Sequence, residues 1–543
     1  MLNYVWLGLL VLGIGTALTT DIFDQSKNKY RNGDPLPVEI WFEDSIAVDQ
    51  DGSYDGKLIV NADAFNSFYK TSIEENIEVE AKITIDKDDN RITVFFKVDH
   101  SSPELWNYMA QISGNDDDLT GLFQLSSRLS SQSFAGTVIL EEVAFARMKD
   151  VTNAALDYAG TAVNIALGLI GIMALWLGVM KVAEDAGLIR KIANAVKPIT
   201  KFLFPDVPPD HPAMGSIIMN IAANMLGLGN AATPFGLKAM EELDSLNKNK
   251  GTATNAMVTF LAVNTAGLTL IPVTAIAIRA ASGSSNPAII IGTSIFGAIC
   301  ATTVGITATK ILEKFPIKKG EFGTWLSSYK KGLTIFLSII ALIAVLGVSG
   351  ILTKLFSLLS FINPDFFKAI INIISILAIP GLIFLFIGYG AIKKIKVYEV
   401  FVEGAKEGFD VAVRIIPYLV AMLVAIGIFR AGGGMEILIA VLTPVTDFIG
   451  MPAEALPMAI MRPLSGSGSL GIMAEILSVH GPDSFIGILV STFFGSTETT
   501  FYVLAVYFGS VNIRNTRHAL PAGLMADVAG ILGAVFIVRL LFG

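Results

Sequence analysis

The chain has 543 residues, 53% hydrophobic and only 16% charged, with a mean hydropathy of +0.62 and a formal net charge of −8. Ordinary soluble chains carry about 25% charged residues, so the composition points to a bilayer. It shows no basic run with interleaved aromatics, which argues against a nucleic-acid partner. The single cysteine, Cys300, lies in an apolar run and excludes a disulfide framework or a thiolate metal site.

The charge is divided along the chain. From Asp21 to Asp150 there are 25 Asp and Glu against 12 Lys and Arg, a balance of −13 that leaves +5 for the remainder. Ahead of this acidic stretch, residues 4–19 are apolar. A cleaved signal peptide would carry a basic n-region, which is missing, so residues 1–20 read as a retained transmembrane helix. Residues 21–150 read as a small inserted β-rich (α+β) domain. Glu78–Ile85 and Arg91–Val98 alternate with period two around a turn-like Asp86–Asn90, which makes a hairpin. Helical pieces fall near 61–72 and 103–112. The run Asp116, Asp117, Asp118 reads as a solvated loop rather than a cation site, and the domain shows no catalytic constellation.

Apolar segments of spanning length follow, near 158–180, 255–278, 288–309, 333–352, 369–392, 411–429, 484–508 and 519–541. Segments 181–203, 310–332, 393–410 and 512–518 carry 17 Lys and Arg, whereas the opposite loops 279–287, 353–365, 430–434 and 478–483 carry 3. By the positive-inside rule the basic loops are cytoplasmic and the acidic domain extracytoplasmic.

Two polar stretches interrupt this apolar chain. Asn220 to Pro234 (N-I-A-A-N-M-L-G-L-G-N-A-A-T-P) and Arg462 to Gly471 (R-P-L-S-G-S-G-S-L-G) cannot face hydrocarbon as ordinary helices. Broken helix lining protein or a water-filled cavity is the tolerated form, and transporters place solute there. The stretches belong to two related parts, 151–315 and 400–543, joined by transmembrane helices in 316–399. Lys197-Pro198-Ile199-Thr200 echoes Thr443-Pro444-Val445-Thr446, and Gly227-x-Gly229-Asn230 echoes Gly466-x-Gly468-Ser469. With 212–240 as a re-entrant hairpin, five spans separate the two starting points, and an odd number inverts the second half relative to the first.

The motifs P-P-D-H-P-A-M-G (208–215), 220–243 and T-L-I-P-V-T-A-I-A-I-R (269–279) resemble spore maturation protein A. In the second half, 462–471 and G-S-T-E-T-T-F-Y-V-L-A-V-Y-F-G (495–509) resemble spore maturation protein B. The resemblance covers the N-terminal helix and about 155–543, and reads as a fusion of the two within the nucleoside-recognition (Gate) group. It implies an all-α polytopic membrane protein with inverted repeats and broken, re-entrant helices, similar to concentrative nucleoside transporters, set in a bacterial inner membrane. The 21–150 domain lies outside that pattern.

Candidate solute-binding residues follow from polarity at membrane depth. Asn220 and Asn224 share a helix face, and Asn230 and Thr233 follow the glycine pair, where a new helix N-terminus frees N–H groups. Asn264 and Thr265 are first-half counterparts of Ser496 and Thr497. Ser465, Ser467 and Ser469 line the second glycine stretch, or else are small residues that allow close helix packing. Glu498, with Thr499 beside it, is an ionisable group in an apolar segment and a functional candidate by default. Arg462 has two roles open to it, meeting an anionic group of the solute or pairing with Glu498. Glu498 and Asp527 are the coupling candidates. No metal-ligand spacing, nucleotide fingerprint or catalytic triad is present, so neither an enzyme nor a cofactor is expected.

The expected function is transport of a small polar or anionic solute by alternating access, coupled to a cation. The alternative is a non-transporting scaffold or maturation factor that recruits a protein partner through residues 21–150. Lipid and an unidentified solute are the other expected partners, and a homo-oligomer is the expected state.

Overall fold

A computed structural model describes residues 2–43, 51–86, 91–113, 117–313, 334 and 364–543. It divides into two compact units. One comprises Leu7–Asp157 with Ala425–Leu438; the other comprises Met1–Trp6, Tyr158–Val424 and Ile439–Gly543.

The first unit holds the distal part of helix α1 (Leu2–Ser26) and a closed barrel of six antiparallel strands. The strands are β1 (Leu36–Phe42), β2 (Gly52–Val60), β3 (Ile77–Asp86), β4 (Arg91–Lys97), β5 (Asp118–Arg128) and β6 (Ser133–Leu140). Each pairs with its sequence neighbour, and β1 closes on β6 from Leu36↔Val138 to Trp41↔Ser133. Alternation drives the closure: Ile77, Val79, Ala81, Ile83 and Ile85 of β3 point in, and the residues between them face out. Two helices complete the core, α2 (Ala62–Tyr69), N-capped by Asn61, and α3 (Glu104–Ser113). Trp106 of α3 is fully buried between Phe65 and Phe96, at ring-centroid distances of 5.4 and 5.0 Å. The interior is therefore filled by side chains. The strands expected to flank a turn at 86–90 pair as β3 and β4 up to Asp86↔Arg91, and residues 87–90 lie outside the described residues. Of the acidic run, Asp116 also lies outside them, and Asp117 pairs with Lys97 at 2.9 Å.

Leaving the barrel, the chain enters α4 (Ala146–Asp185). The buried Asp21 of α1 caps it, accepting from the backbone N–H groups of Arg147 and Met148 at 2.9 Å each. These are two of the four donors that a helix start leaves without intrahelical partners.

One element order occurs twice, in helices that lie mostly within the second unit. The first series is α4, α5 (Leu188–Leu203), α6 (Pro212–Met225), α7 (Gly229–Ser245), α8 (Asn255–Ala266), α9 (Val273–Ala281) and α10 (Ile290–Glu313). After α11 (Pro364–Ile392) the second runs α12 (Val397–Ala431), α13 (Gly434–Ile449), α14 (Leu456–Leu464), α15 (Gly466–His480), α16 (Phe485–Ser496), α17 (Thr500–Ser510) and α18 (Ala519–Phe542). The lengths are 40, 16, 14, 17, 12, 9 and 24 residues, then 35, 16, 9, 15, 12, 11 and 24. Pro198 of α5 and Pro444 of α13 fall at the same place within their helices.

The equivalent helices α10 and α18 pack along a seam of small residues. A methyl placed on Gly305 would stand 2.9 Å from Ala526 Cβ, and one on Gly533 the same distance from Cys300 Sγ. Phe296 stacks on Phe536 at 6.0 Å. Numbers that rise along α10 fall along α18, so the two run antiparallel, and only small residues allow the approach.

Five described helices are long and apolar enough to cross a membrane: Trp6–Ser26, Ala146–Asp185, Pro287–Glu313, Val397–Ala431 and Ala519–Phe542. On α11, Ile376, Leu377 and Phe384 are 61, 60 and 82% exposed, surface that suits lipid rather than water. The chain is a multi-pass membrane protein. The segments 255–278 and 484–508, expected as continuous spans, are each broken. Gly267 ends α8 in the left-handed region (φ +56°), and Pro272 precedes α9. Extended backbone at Thr497 separates α16 from α17. The span expected at 333–352 lies outside the described residues.

Candidate functional site

Three interruptions of helix meet in the second unit. The hairpin α6–α7 turns at Leu226-Gly227-Leu228, with Gly227 at φ +79°. A methyl there would stand 2.7 Å from Ile271 O, so glycine is required for the close approach as well as the turn. The N–H of Leu270, in the break after α8, donates to Met225 O at 2.8 Å. The N–H of Glu498, in the break after α16, donates to Thr265 O at 2.8 Å. Backbone groups freed by one break are thus satisfied by another, as a low-dielectric interior demands.

These interruptions border a cavity of about 220 Å³. Asn224, Gly227 and Leu228 line it from the hairpin, Thr269 and Ile271–Ala275 from the first break, and Phe494, Gly495, Thr497 and Glu498 from the second. Lys181 and Glu184 reach it from α4 and Glu407 from α12. Lys181 pairs with Glu184 at 3.4 Å and Asp185 at 3.7 Å.

Of the sequence-derived candidates, Asn224, Thr497 and Glu498 line the cavity. Asn220 and Asn264 are buried behind it in a network of amides. Asn224 Nδ2 donates to Asn264 Oδ1 at 3.0 Å, Asn220 Nδ2 donates to Ala232 O at 2.8 Å, and Tyr507 Oη bridges Asn220 and Asn264 at 3.3 and 3.4 Å. Arg462 is buried at the C-terminal end of α14. Its guanidinium donates to Thr497 O and to Thr499 Oγ1, stands 4.4 Å over the Phe494 ring and pairs with Glu498 at 3.6 Å. Ser465 alone breaks the second hairpin and caps α15 by accepting from Gly468 N–H at 3.0 Å, with Ser467 Oγ 3.4 Å away. Ser469 and Ser496 return their hydroxyls to carbonyls of their own helices, Gly466 O and Thr492 O. Thr265 and Thr499 are buried, and Thr233 is half-buried on α7. Asp527 is buried in α18, accepting from Thr500 Oγ1 at 2.5 Å. The side chain of Asn230 lies outside the described residues. Among the described residues no cluster of His, Cys, Asp or Glu has the make-up of a metal site.

Several polar groups here escaped the sequence reading. Lys181, Glu184 and Glu407 resemble the ordinary charges of helix ends, Tyr507 an apolar residue of a span, and the fully buried Glu475 a charge of a polar hairpin. Arg279, counted as a loop residue, is wholly buried. It donates to Pro482 O and to Asp483 Oδ1 (2.8 Å), tying the end of α9 to the loop before α16. Partial burial alone would raise the Asp483 carboxyl, but hydrogen bonds from Ser284 and Ser285 and the Arg279 charge hold it below the usual carboxylate range.

A family model for nucleoside recognition (Gate) matches residues 166–282 and 412–514. Spore maturation protein B of Bacillus subtilis (strain 168) is 51% identical over 174 residues, covering 32% of this chain and 98% of the relative. Spore maturation protein A of the same organism is 49% identical over 152 residues, covering 28% of this chain and 78% of the relative. The chain belongs to the spore maturation protein family. The A-like and B-like matches fall on different parts of it, as in a fusion of two family members. The two Gate stretches run from α4 to α9 and from α12 to just past α17, so they cover equivalent elements of the two series, and both exclude the barrel.

Proposed function

We propose that this family member is a transporter of the bacterial plasma membrane, moving a small polar solute by alternating access between two inverted halves. The observation that carries the reading is the meeting of both helix breaks and the first hairpin turn at one polar cavity. The antiparallel seam of α10 and α18 supports inversion, since equivalent helices of parallel repeats would enter the membrane in the same sense. The lysine and arginine asymmetry supports a barrel on the extracytoplasmic side. Three glutamates face the cavity against Lys181, which narrows the solute to one that is polar and not net-anionic.

The test uses sealed vesicles of a Cys300→Ala chain carrying Thr274→Cys, a cavity-lining position. A membrane-impermeant maleimide that labels Cys from either side in turn supports alternating access, and labelling from neither side rejects it. Uptake of radiolabelled nucleosides, amino acids and polyamines then identifies the solute, with Glu498→Gln as the impaired control. The names of the two relatives favour a second reading, a maturation factor that uses the Gate helices as a platform. Labelling from one side only, under every condition, supports that reading instead.

A further inference from the structure

Asp527 has a glycine about one turn away on each side, Gly523 and Gly530, and the three share a face of α18. Threonines from both breaks press against that face. A methyl on Gly523 would stand 2.9 Å from Thr500 Cγ2 and 3.5 Å from Thr265 Cγ2, and one on Gly530 2.5 Å from Thr497 Cγ2. Thr500 Oγ1 donates to Asp527 Oδ2 at 2.5 Å. Asp527 Oδ1 and the hydroxyl oxygens of Thr265 and Thr497 are buried, with no hydrogen-bond partner among the described residues. An ionised carboxylate only accepts, so its second oxygen would lie buried as a charged acceptor with no donor. A protonated one carries no charge and can both donate to and accept from a threonine hydroxyl.

The charged groups whose fields reach Asp527 are Arg462, from α14, and Glu498, from the break before α17. Helix α8 presents Thr265, and α10 presents Ala301 and, farther along against Gly533, the Cys300 thiol. The same threonine backbones hold the breaks: Thr265 O accepts from Glu498 N–H and Thr497 O from Arg462.

We propose that Asp527 carries an exchangeable proton that sets which carboxylate Arg462 serves. With the proton on, the carboxyl group bonds within the threonine face and Arg462 stays on Glu498. With the proton released to water, the new charge draws the guanidinium toward Asp527, loosening Glu498 at the cavity and the carbonyl of Thr497. As a coupling ion the proton rests on the transport reading above; as a binding site it does not.

The full chain in lipid nanodiscs, titrated with pH and followed by the infrared carbonyl band of protonated carboxyl groups, tests this. A titrating band present in the parent, lost in Asp527→Asn, kept in Asp527→Glu and shifted in frequency by Thr500→Val supports the site. The same titrating band in the parent and in Asp527→Asn overturns it. So does removal of the parent band at fixed pH when sodium replaces choline, which marks a metal-cation site instead. Should Asp527→Asn fail to fold, Thr500→Val decides, because an unshifted band there also overturns the proposal. A titrating Asp527 in a chain whose Thr274→Cys stays unlabelled from both sides would refute transport and keep the site.

Discussion

Replacing Gly267 with alanine perturbs the point where the two breaks touch. Gly267 sits at φ +56° and ψ +48°, a left-handed conformation that costs a residue with a Cβ roughly 1–2 kcal/mol. The added methyl would stand 2.8 Å from Glu498 Cγ and 3.1 Å from Glu498 N. The Cγ can swing aside, but the nitrogen is backbone, fixed by its 2.8 Å bond to Thr265 O. Shifting it forfeits a hydrogen bond worth about 1 kcal/mol net, so the expected loss is on the order of 2–3 kcal/mol. Gly283→Ala is the matched control, since Gly283 is also left-handed (φ +81°) but its methyl meets no described atom within 4 Å. It should carry the conformational cost alone, roughly 1–2 kcal/mol. Unfolding of the full chain in mixed detergent–lipid micelles measures both variants, and thiol labelling at Thr274→Cys reports the cavity. Equal destabilisation by the two variants, with equal labelling, would refute the claim that the breaks hold one another.

Asp21→Ala should cost about 1–2 kcal/mol by uncapping α4, with faster hydrogen exchange at the amides of Arg147 and Met148 as the local sign. Trp106→Ala, emptying the barrel core, should cost roughly 3–5 kcal/mol, read by thermal unfolding of the full chain. Burial pushes the Tyr69 hydroxyl up to about 12, so the stability it contributes is whole below the unfolded value near 10 and is lost as pH rises through the folded one; a barrel equally stable at pH 9 and pH 12 would contradict this. Asp483 is displaced the other way, so its clamp on Arg279 should hold above about pH 4 and fail as acid protonates it, whereas Asp483→Asn should weaken the clamp at every pH.

Much of this architecture was readable because lipid punishes polar backbone. The polar glycine-containing stretches announced a helix break in each half, at 220–234 and 462–471, and period-two alternation announced the strands of β3 and β4. What escaped had weaker local signals. The breaks in 255–278 and 484–508 rest on Gly267 with Pro272 and on the run Ser496–Thr500, short marks inside runs that are otherwise long and apolar enough to span. Barrel closure depends on β1 meeting β6 about a hundred residues later, and no window of sequence contains that pairing. Lys181 and Glu407 join the cavity only because α4 and α12 pack beside it; their surroundings in sequence are those of any helix end. The Arg279–Asp483 pair likewise joins residues 204 apart.

The ends of the broken helices show how such a device is held. Arg279 in the last turn of α9, with Ser284 and Ser285 just after that helix, binds the loop before α16. After α17, the N–H groups of Arg514 and Asn515 donate to Gly251 O, and Arg517 donates to Ala253 O and Asn255 Oδ1, at the start of α8. Each half thus grips the other by the same pair of elements, the residues that follow one broken helix and the loop that precedes the other. The far ends are fastened while the middles are unwound, at 267–272 and 497–499, beside the cavity. Releasing one clamp would let two half-helices swing about the breaks while the second clamp keeps the opposite end shut. On the transport reading proposed above, alternating access would need such a motion, expected where Glu498, Arg462 and the Asp527 face already meet.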